Sequence, residues 1–446
     1  MTRGGSEAAP SRVVATRVLY RVAAKGAFAT PALDAEIRRA GLDARDAALA
    51  SEIVYGALRV LPSLDRTIAA HLRRAGRMDA HARAALRAAS YQILHLSRVP
   101  PRAAVHDAVA LVRRERGAPL AGFVNAVLRR VADVRPTDPR PPDRLEVPPW
   151  LEAQLEEALG PDRAEAFLRV RPLPPPLGLR VRGDREAFAR RLRADRPDAE
   201  VTAGALSPGA LRVRHAGDPR RLPGYEDGAF CVQEEGAQVV ALALGASEGD
   251  RVVDACAGRG GKTLLLAEAV GPVGHVTALD LHERKLEAIG AELARLHLSA
   301  ERVETRTVDL TVGTGGLEAR FDRVLVDAPC TNLGTVHRRP ELLFRLSPED
   351  PGRLAILQRG ILRQAARLVR PGGLLAYAVC SPTREEGPGV AAFVEQELEG
   401  LERLPAPLPG SGLSPDPDGV ARVGPWSDPG GGADAYQIVR WRRRGA

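Results

Sequence analysis

The stretch VVDACAGRGGKT, residues 252–263, constrains this chain more than any other. An apolar, strand-like run enters a glycine-rich turn and leaves it in a helical pattern. Glycines let a backbone approach a ligand closely, and a helix start offers free N–H groups. Gly258, Gly260 and Gly261 give a GxGG variant of the nucleotide fingerprint, with Asp254 ahead of it as the candidate loop anchor. Lys25, Lys262 and Lys285 are the only lysines in a chain that otherwise writes its cations as arginine, so a compact point charge is expected at 262. The rival reading is a structural turn. A P-loop is excluded, because GxxxxGK[ST] needs an earlier glycine that is not there.

The motif sits in a strand–helix alternation that starts near residue 233 and predicts a doubly wound sheet. The strands are RVVDA (251–255), HVTALD (275–280), VETRTVD (303–309), RVLVDA (323–328) and GLLAYAV (373–379), with the clearest helices at 283–296 and 351–370. Asp280 ends the second strand, where an acidic side chain can accept both ribose hydroxyls of a bound nucleoside. That fits NAD and S-adenosylmethionine equally. Asp309, placed at the end of the third strand, is a candidate for the adenine amino group or a turn residue.

Upstream the pattern changes. Residues 12–133 read as all-helical, with Ser11 as cap of a first helix that stops before Gly26, and further helices at 45–60, 64–73, 79–95, 103–115 and 119–133. The Pro-rich segment 136–149 reads as a stiff linker outside any core. A helical piece over 150–170 precedes a small α+β module with strands LGLRVR, ALRVRH and GAFCVQ and a helix near 184–194. The Pro- and Gly-rich tail from 405 to 434 reads as loop, and AYQIVRW as a closing edge strand. The expected fold class is multidomain: a helical bundle over 1–135, the linker, an α+β connector over 150–232, and an α/β Rossmann-like domain over 233–446.

The charge follows this division. The net charge is +8, yet residues 1–135 hold 23 Lys+Arg against 11 Asp+Glu, a net of +12, which leaves −4 for the rest. A polyanion such as RNA or a merely solvated surface both fit that front third. No signal-peptide pattern and no apolar run of membrane-spanning length is seen, so a cytoplasmic protein without a membrane partner is expected. The four cysteines, Cys231, Cys256, Cys330 and Cys380, form no CxxC pair, which argues against disulfides and a zinc site.

Two of these cysteines choose the chemistry. DAPCTNLGT (327–335) and YAVCSPTREEG (377–387) each place a cysteine just past the C-terminal end of a strand, the edge where open α/β sheets bind ligands. One such cysteine is easily a packing residue, as Cys231 and Cys256 are read from their surroundings; two at one edge are hard to explain that way. C5 of cytosine is a poor nucleophile. A thiolate that adds to C6 makes C5 enamine-like, C5 takes a methyl, and a second group then assists expulsion of the first thiolate. Asp327 can donate to N3 or hold the exocyclic amine.

DACAGRGGKT, DAPCTNLGT and YAVCSP resemble the motifs of the NOL1/NOP2/Sun family of RNA cytosine-C5 methyltransferases. ALDAEIRRAGL, SEIVYGALR (51–59), YQILHLSRVPP (91–101) and GFVNAVLRR (122–130) resemble the NusB-like, RNA-binding domain of that family's bacterial members. The resemblance implies an S-adenosylmethionine-dependent enzyme acting on small-subunit (16S) ribosomal RNA; the scattered cysteines and histidines predict no metal, and a monomer is expected. The resemblance assigns attack to Cys380 and release to Cys330, and carries cofactor binding to Cys256, Ala257, Gly258, Arg259, Gly260, Gly261, Lys262, Asp280, Asp309 and Asp327. The chain departs from the family pattern at Arg259 (Pro), Thr331-Asn332 (Ser-Gly), His337 to Glu341 (Arg-Arg-x-Pro-Asp) and Gly387 (Asn). The rivals are the same enzyme acting on tRNA, an RNA-binding factor with a decayed catalytic domain, and an NAD-dependent oxidoreductase.

Overall fold

The computed structural model describes residues 8–72, 78–140, 143–169, 176–427 and 432–445. They form two compact units: one holds the chain up to Pro148, Leu168–Pro175 and Val336–Arg345, the other Pro149–Phe167, Pro176–Thr335 and Leu346–Ala446.

The first unit is a helical bundle of α1 (Pro10–Lys25), α2 (Ala29–Ala40), α3 (Ala44–Arg59), α4 (Leu61–Ala70), α5 (Ala80–His95), α6 (Pro101–Arg116) and α7 (Ala118–Asp133). Helix α5 is its axis. Every residue from Ala82 to Ile93 but Arg83 is buried, the polar Arg87, Ser90 and Gln92 among them. Gly56 on α3 makes room for it, since a Cβ there would lie 2.0 Å from the Tyr91 ring, whose hydroxyl donates to Glu52 at 2.6 Å. One expectation needs correction. Ser11 does not cap α1; it lies inside the helix, buried, because Pro10 opens the helix with its preset φ. Helix α2 lies between the stretches read as helices from sequence; Pro31 sits in its first turn, where its missing N–H costs nothing.

The Pro-rich segment is also more than a linker. Leu145 is fully buried and donates its N–H to the Leu168 carbonyl at 2.7 Å, and Glu146 accepts the Ser63 N–H in the first turn of α4 at 2.9 Å. One apolar side chain and one helix-capping carboxylate suffice to draw it into the core. Positions 141–142 of that segment lie outside the described residues. Unforeseen too is Val336–Arg345, which joins this unit: Arg59 donates to the His337 carbonyl, and Glu341 accepts the Ala29 N–H at 3.0 Å.

In the second unit, α8 (Pro149–Leu159) and α9 (Pro161–Leu168) replace the single expected helix, broken at Gly160 with φ +77. A four-stranded antiparallel sheet follows, ordered β2-β3-β1-β4, from β1 (Leu177–Val181), β2 (Glu200–Ala203), β3 (Ala210–Arg214) and β4 (Phe230–Val232), with α10 (Arg185–Asp195) packed on it. Helix α11 (Glu235–Ala243) leads into the large sheet, built from β5 (Arg251–Asp254), β6 (His275–Asp280), β7 (Val303–Thr307), β8 (Phe321–Asp327), β9 (Val369–Val379), β10 (Leu401–Arg403), β11 (Ala421–Val423) and β12 (Tyr436–Arg443). Its order is β10-β12-β9-β8-β5-β6-β7, with β11 on β12; β5 to β9 run parallel and β12 antiparallel to β9. Helices α12 (Gly261–Ala269), α13 (Glu283–Arg295), α14 (Asp350–Leu368) and α15 (Pro388–Glu397) complete the alternation. β12 is not an edge strand as expected: β9 flanks it on one side, β10 and β11 on the other, and Trp441 is fully buried. Those two three-residue strands were too short to read from sequence.

Strand β5 pairs with β6 on one side and β8 on the other, so the chain reverses its direction of travel across the sheet between them. Doubly wound sheets bind ligands at this switch point, beyond the C-terminal strand ends.

Candidate active site

Four strands deliver their functional groups to that edge. Asp254 ends β5, Asp280 ends β6, Asp327 ends β8, and Cys380 follows β9 directly. Asp254 is buried and accepts the Thr263 hydroxyl at 2.7 Å, tying the strand to the first turn of α12. Burial raises its pKa to about 6; the Thr263 hydrogen bond and the Lys262 charge oppose the rise.

The glycine loop between them is shaped by hydrogen bonds. Ala257 donates to the Leu279 carbonyl at 2.8 Å, Gly260 to the Ala257 carbonyl at 2.9 Å, and Gly258 to Asp280 Oδ2 at 3.0 Å. Gly258 (φ +58) and Gly260 (φ +88) are left-handed. A Cβ on Gly260 would meet Ile289 at 2.7 Å, whereas one on Gly258 would meet nothing within 4 Å. The loop thus packs on α13 at Gly260 and is open at Gly258. Arg259 is exposed at its tip. Asp280 also accepts from the His282 N–H at 2.8 Å and Lys285 Nζ at 3.2 Å. Lys285 Nζ also reaches Oδ2 at 3.4 Å, so one ammonium bridges both carboxylate oxygens.

Lys262 reaches Asp327 Oδ2 at 2.6 Å, and its Nζ lies 5.9 Å from the centre of the buried Tyr436 ring. Burial opposes the ammonium charge, but the Asp327 charge, the hydrogen bond to it and Asp254 outweigh that, and the pKa is raised. The isolated lysine thus pairs with the carboxylate that begins the Pro-Cys motif.

The two cysteines meet. Cys330 Sγ and Cys380 Sγ are 3.4 Å apart, Cys330 buried and Cys380 partly open. The neighbouring parallel strands β8 and β9, in register Asp327↔Ala378, bring them together. The hydrogen bond with Cys380, followed by burial and the Cys380 charge, pushes the Cys330 thiol well up. Cys256 lies on the glycine loop with its thiol pushed up, mainly by burial and then by Asp254, Asp327 and Asp280. Cys231 sits on β4 beside Arg180, its thiol raised by burial. Asp309 is not gathered in. It lies two residues past β7, is exposed, and accepts from its own Thr311 N–H and hydroxyl at 2.9 and 2.5 Å, which lower its pKa. Among the described residues no group of three or more His, Cys, Asp or Glu could hold a metal ion, and no single helix is long and apolar enough to cross a membrane.

Sequence reading missed what holds the two cysteine loops. Glu386 is fully buried and accepts from the Thr331 N–H (2.9 Å), the Thr331 hydroxyl (2.5 Å), Gln358 Nε2 (2.9 Å) and the Thr383 hydroxyl (3.3 Å). Gln358 also donates to the Pro329 carbonyl at 3.0 Å, and Gln437 to the carbonyls of Ser381 and Thr383, both at 2.7 Å. A Cβ at Gly334 would lie 2.0 Å from the Ala435 carbonyl; instead Gly334 donates to the Cys380 carbonyl and accepts from Ala435, both at 3.0 Å. The departure Gly387 gains a reason: a Cβ there would lie 2.0 Å from Gln437 Oε1, so the glutamine side chain fills that space. One signal was available. Gln358 falls on the buried stripe of α14 with Ala355, Ile361, Leu362 and Ala365, and a polar side chain there needs a buried partner.

A crevice of this kind, with a glycine loop, three strand-end carboxylates and paired thiols at a switch point, belongs to the class of Rossmann-like methyltransferases. Residues 241–412 match the family model of the 16S rRNA methyltransferase RsmB/F, and residues 9–133 match that of the NusB family. The chain is 35% identical over 434 residues to ribosomal RNA small subunit methyltransferase B of Thermus thermophilus, covering 97% of each chain. It is 32% identical over 397 residues to the probable ribosomal RNA small subunit methyltransferase B of Bacillus subtilis, covering 86% of this chain and 88% of that one. The crystal structure of PH0851 shares the fold, with a TM-score of 0.82 at 23% identity over 98% of this chain and all of that one (100%). The chain belongs to the RsmB/F family of rRNA methyltransferases and carries that family's NusB-like helical domain.

Proposed function

We propose that the protein methylates C5 of a cytosine in small-subunit ribosomal RNA, with S-adenosylmethionine as donor, through a covalent bond between Cys380 and C6. The observation that carries this reading is the 3.4 Å approach of two thiols from separate strands beside the Lys262–Asp327 pair. Mere packing does not require two thiols in contact at a ligand-binding strand edge, whereas addition to and expulsion from C6 uses both.

The residues present fit the donor. The open Gly258, the strand-end carboxylate of Asp280 and the uncapped N-terminus of α12 suit a nucleoside with a carboxylate-bearing tail. When bound, it supplies an electrophilic methyl on sulfur. Asp309, turned toward Thr311, is the weakest member of the expected set and would have to release that contact to reach an adenine.

Cys380, the more open thiol, attacks C6 as the thiolate. Asp327, held by Lys262, accepts from the exocyclic amine of the cytosine and fixes its ring over the thiol pair. After methylation Cys330, ionised by loss of its own proton to water, takes the C5 proton, and the electrons of that C–H bond expel the Cys380 thiolate. Cys330 suits the later step, since the hydrogen bond and charge of Cys380 help to raise its pKa. Once Cys380 is bonded to carbon both influences vanish, and Cys330 ionises more readily. A base reached by a thiol must leave its stack, so a flipped or single-stranded cytosine is the substrate.

Small-subunit rRNA carrying tritium at cytosine C5 tests this directly. Each methyl transferred should release one tritium to water, at a position that bisulfite sequencing then maps. Methyl transfer with the label retained would place the methyl on another atom and sink the C5 reading.

A further inference from the structure

The amide of Asn332 touches the thiol of Cys380, and its backbone is held in an unfavourable region to do so. Asn332 has φ +59, one of three non-glycine residues in the described chain with positive φ. Asparagine tolerates that region better than most side chains, but glycine does so at no cost. A side chain kept there points to a use for it.

The geometry defines the use. Asn332 Nδ2 donates to the Cys330 carbonyl at 2.7 Å, which turns Oδ1 outward to accept the Cys380 thiol proton at 3.1 Å. The Asn332 carbonyl in turn accepts the Thr335 N–H and hydroxyl, both at 2.9 Å. Residue and amide are thus fixed at both ends. An oxygen acceptor can hydrogen-bond a thiol but only repels a thiolate. The other groups around Cys380 are the Cys330 thiol, the Lys262 ammonium, the Asp327 carboxylate and the Tyr436 hydroxyl. An ammonium attracts a thiolate, whereas an amide oxygen such as that of Asn332 repels one.

We propose that Asn332 is a positioning residue that holds Cys380 as an oriented, protonated thiol in the RNA-free protein and so sets how readily the thiolate forms. Its importance for turnover rests on Cys380 being the nucleophile, but its test does not. Entry of the RNA base between amide and sulfur would break the contact and release the thiol to ionise beside Lys262, which confines the reactive form to the occupied site.

Iodoacetamide, which forms an S–C bond with loss of iodide, reads the thiolate without RNA or donor. Alkylation of Cys380 is followed by peptide mass across pH in the full chain, with Cys231 and Cys256 as internal references. Asn332→Gly suits the backbone and removes the acceptor. It should lower the Cys380 midpoint by about half a unit to one unit and speed alkylation at neutral pH roughly 3- to 10-fold. Asn332→Asp puts a charge in the same place and should raise the midpoint. A profile unchanged in both variants, or a midpoint raised in Asn332→Gly, overturns the proposal; the latter would mean that the amide donates to the thiolate. Failure of the covalent reading would show elsewhere, as methyl transfer by Cys380→Ala, and leaves the alkylation result standing.

Discussion

The helical unit and the thiol crevice handle charge in opposite ways. In the helical unit arginines are many and mostly outward, and several meet carboxylates at the bundle surface, as Arg17 meets Glu115 at 2.9 Å and Arg116 meets Asp79 at 2.6 Å. Arg59, pressed inside, leaves Nε and Nη1 without a partner among the described residues, and burial lowers its pKa to about 10. In the crevice charges are few, and each is fixed by another member of the site: Lys262 by Asp327, Asp280 by Gly258 and Lys285, Glu386 by Thr331 and Gln358. A dispersed field survives the loss of one charge, because attraction to a polyanion sums over many contacts. A network of unique partners does not. Single changes in the two regions should therefore differ in effect by orders of magnitude.

The largest effect tests the crevice at its centre. Cys380→Ala cannot form the C6 bond and should lose methyl transfer by at least about 1,000-fold while binding RNA reversibly. Cys330→Ala can still attack and methylate but resolves slowly, so a covalent protein–RNA complex should accumulate. Denaturing gels with labelled RNA and S-adenosylmethionine separate the outcomes. A trapped complex with Cys380→Ala and none with Cys330→Ala would reverse the two roles.

The same contrast explains what the sequence made legible. The glycine loop and both cysteine motifs could be read because backbone approach and strand-end placement leave their mark on a few fixed residue types. The parallel strands followed from apolar runs at regular spacing. Glu386 could not be told from its half-buried neighbour Glu385, because burial of a carboxylate is decided by partners 28 to 55 residues away in sequence. Asn332 was noticed as a departure, but its contact with Cys380 depends on a backbone angle that sequence does not display. Leu145 and Val336–Arg345 were misplaced for a related reason: one buried side chain between prolines, or a short segment after a catalytic loop, carries no periodicity.

A smaller effect, on stability, sharpens the comparison through Asp254. Burial raises its folded-state pKa to about 6, above the ordinary carboxylate value of roughly 3.9. The native state therefore binds this proton more tightly than the unfolded chain does. Its contribution is most favourable below about pH 4, declines as pH rises toward 6, and is flat above. Asp254→Asn can still accept from Thr263 but has nothing to ionise. The variant's stability relative to the parent should rise between pH 4 and 6 by about 1–3 kcal/mol and then level off. Other titrating groups, Glu386 included, cancel in that difference. Urea denaturation of both proteins at pH 4.5, 5.5 and 7 measures it, and a constant gap would show that Asp254 does not titrate in this window.

The smallest effect per residue belongs to the helical unit, and there it must be sought with several changes at once. Deleting residues 1–135 would strip Leu145 and Val336–Arg345 of the bundle they pack in, so weaker binding could mean failed folding. Arg83, Arg98, Arg102 and Arg129 are exposed and form no ion pair among the described residues, so changing them to Gln removes charge and little else. Any of them that sits on a phosphate releases counterions on binding, and removing each such arginine should flatten the dependence of log affinity on log salt by about 0.7–0.9. The fourfold variant should bind rRNA more weakly at low salt and approach the parent at high salt, while Cys380→Ala keeps the parent slope. Filter binding over a salt series distinguishes the two. A fourfold variant with the parent slope would show that this face is only solvated and would move the search for the RNA-binding surface to the other arginines of the bundle.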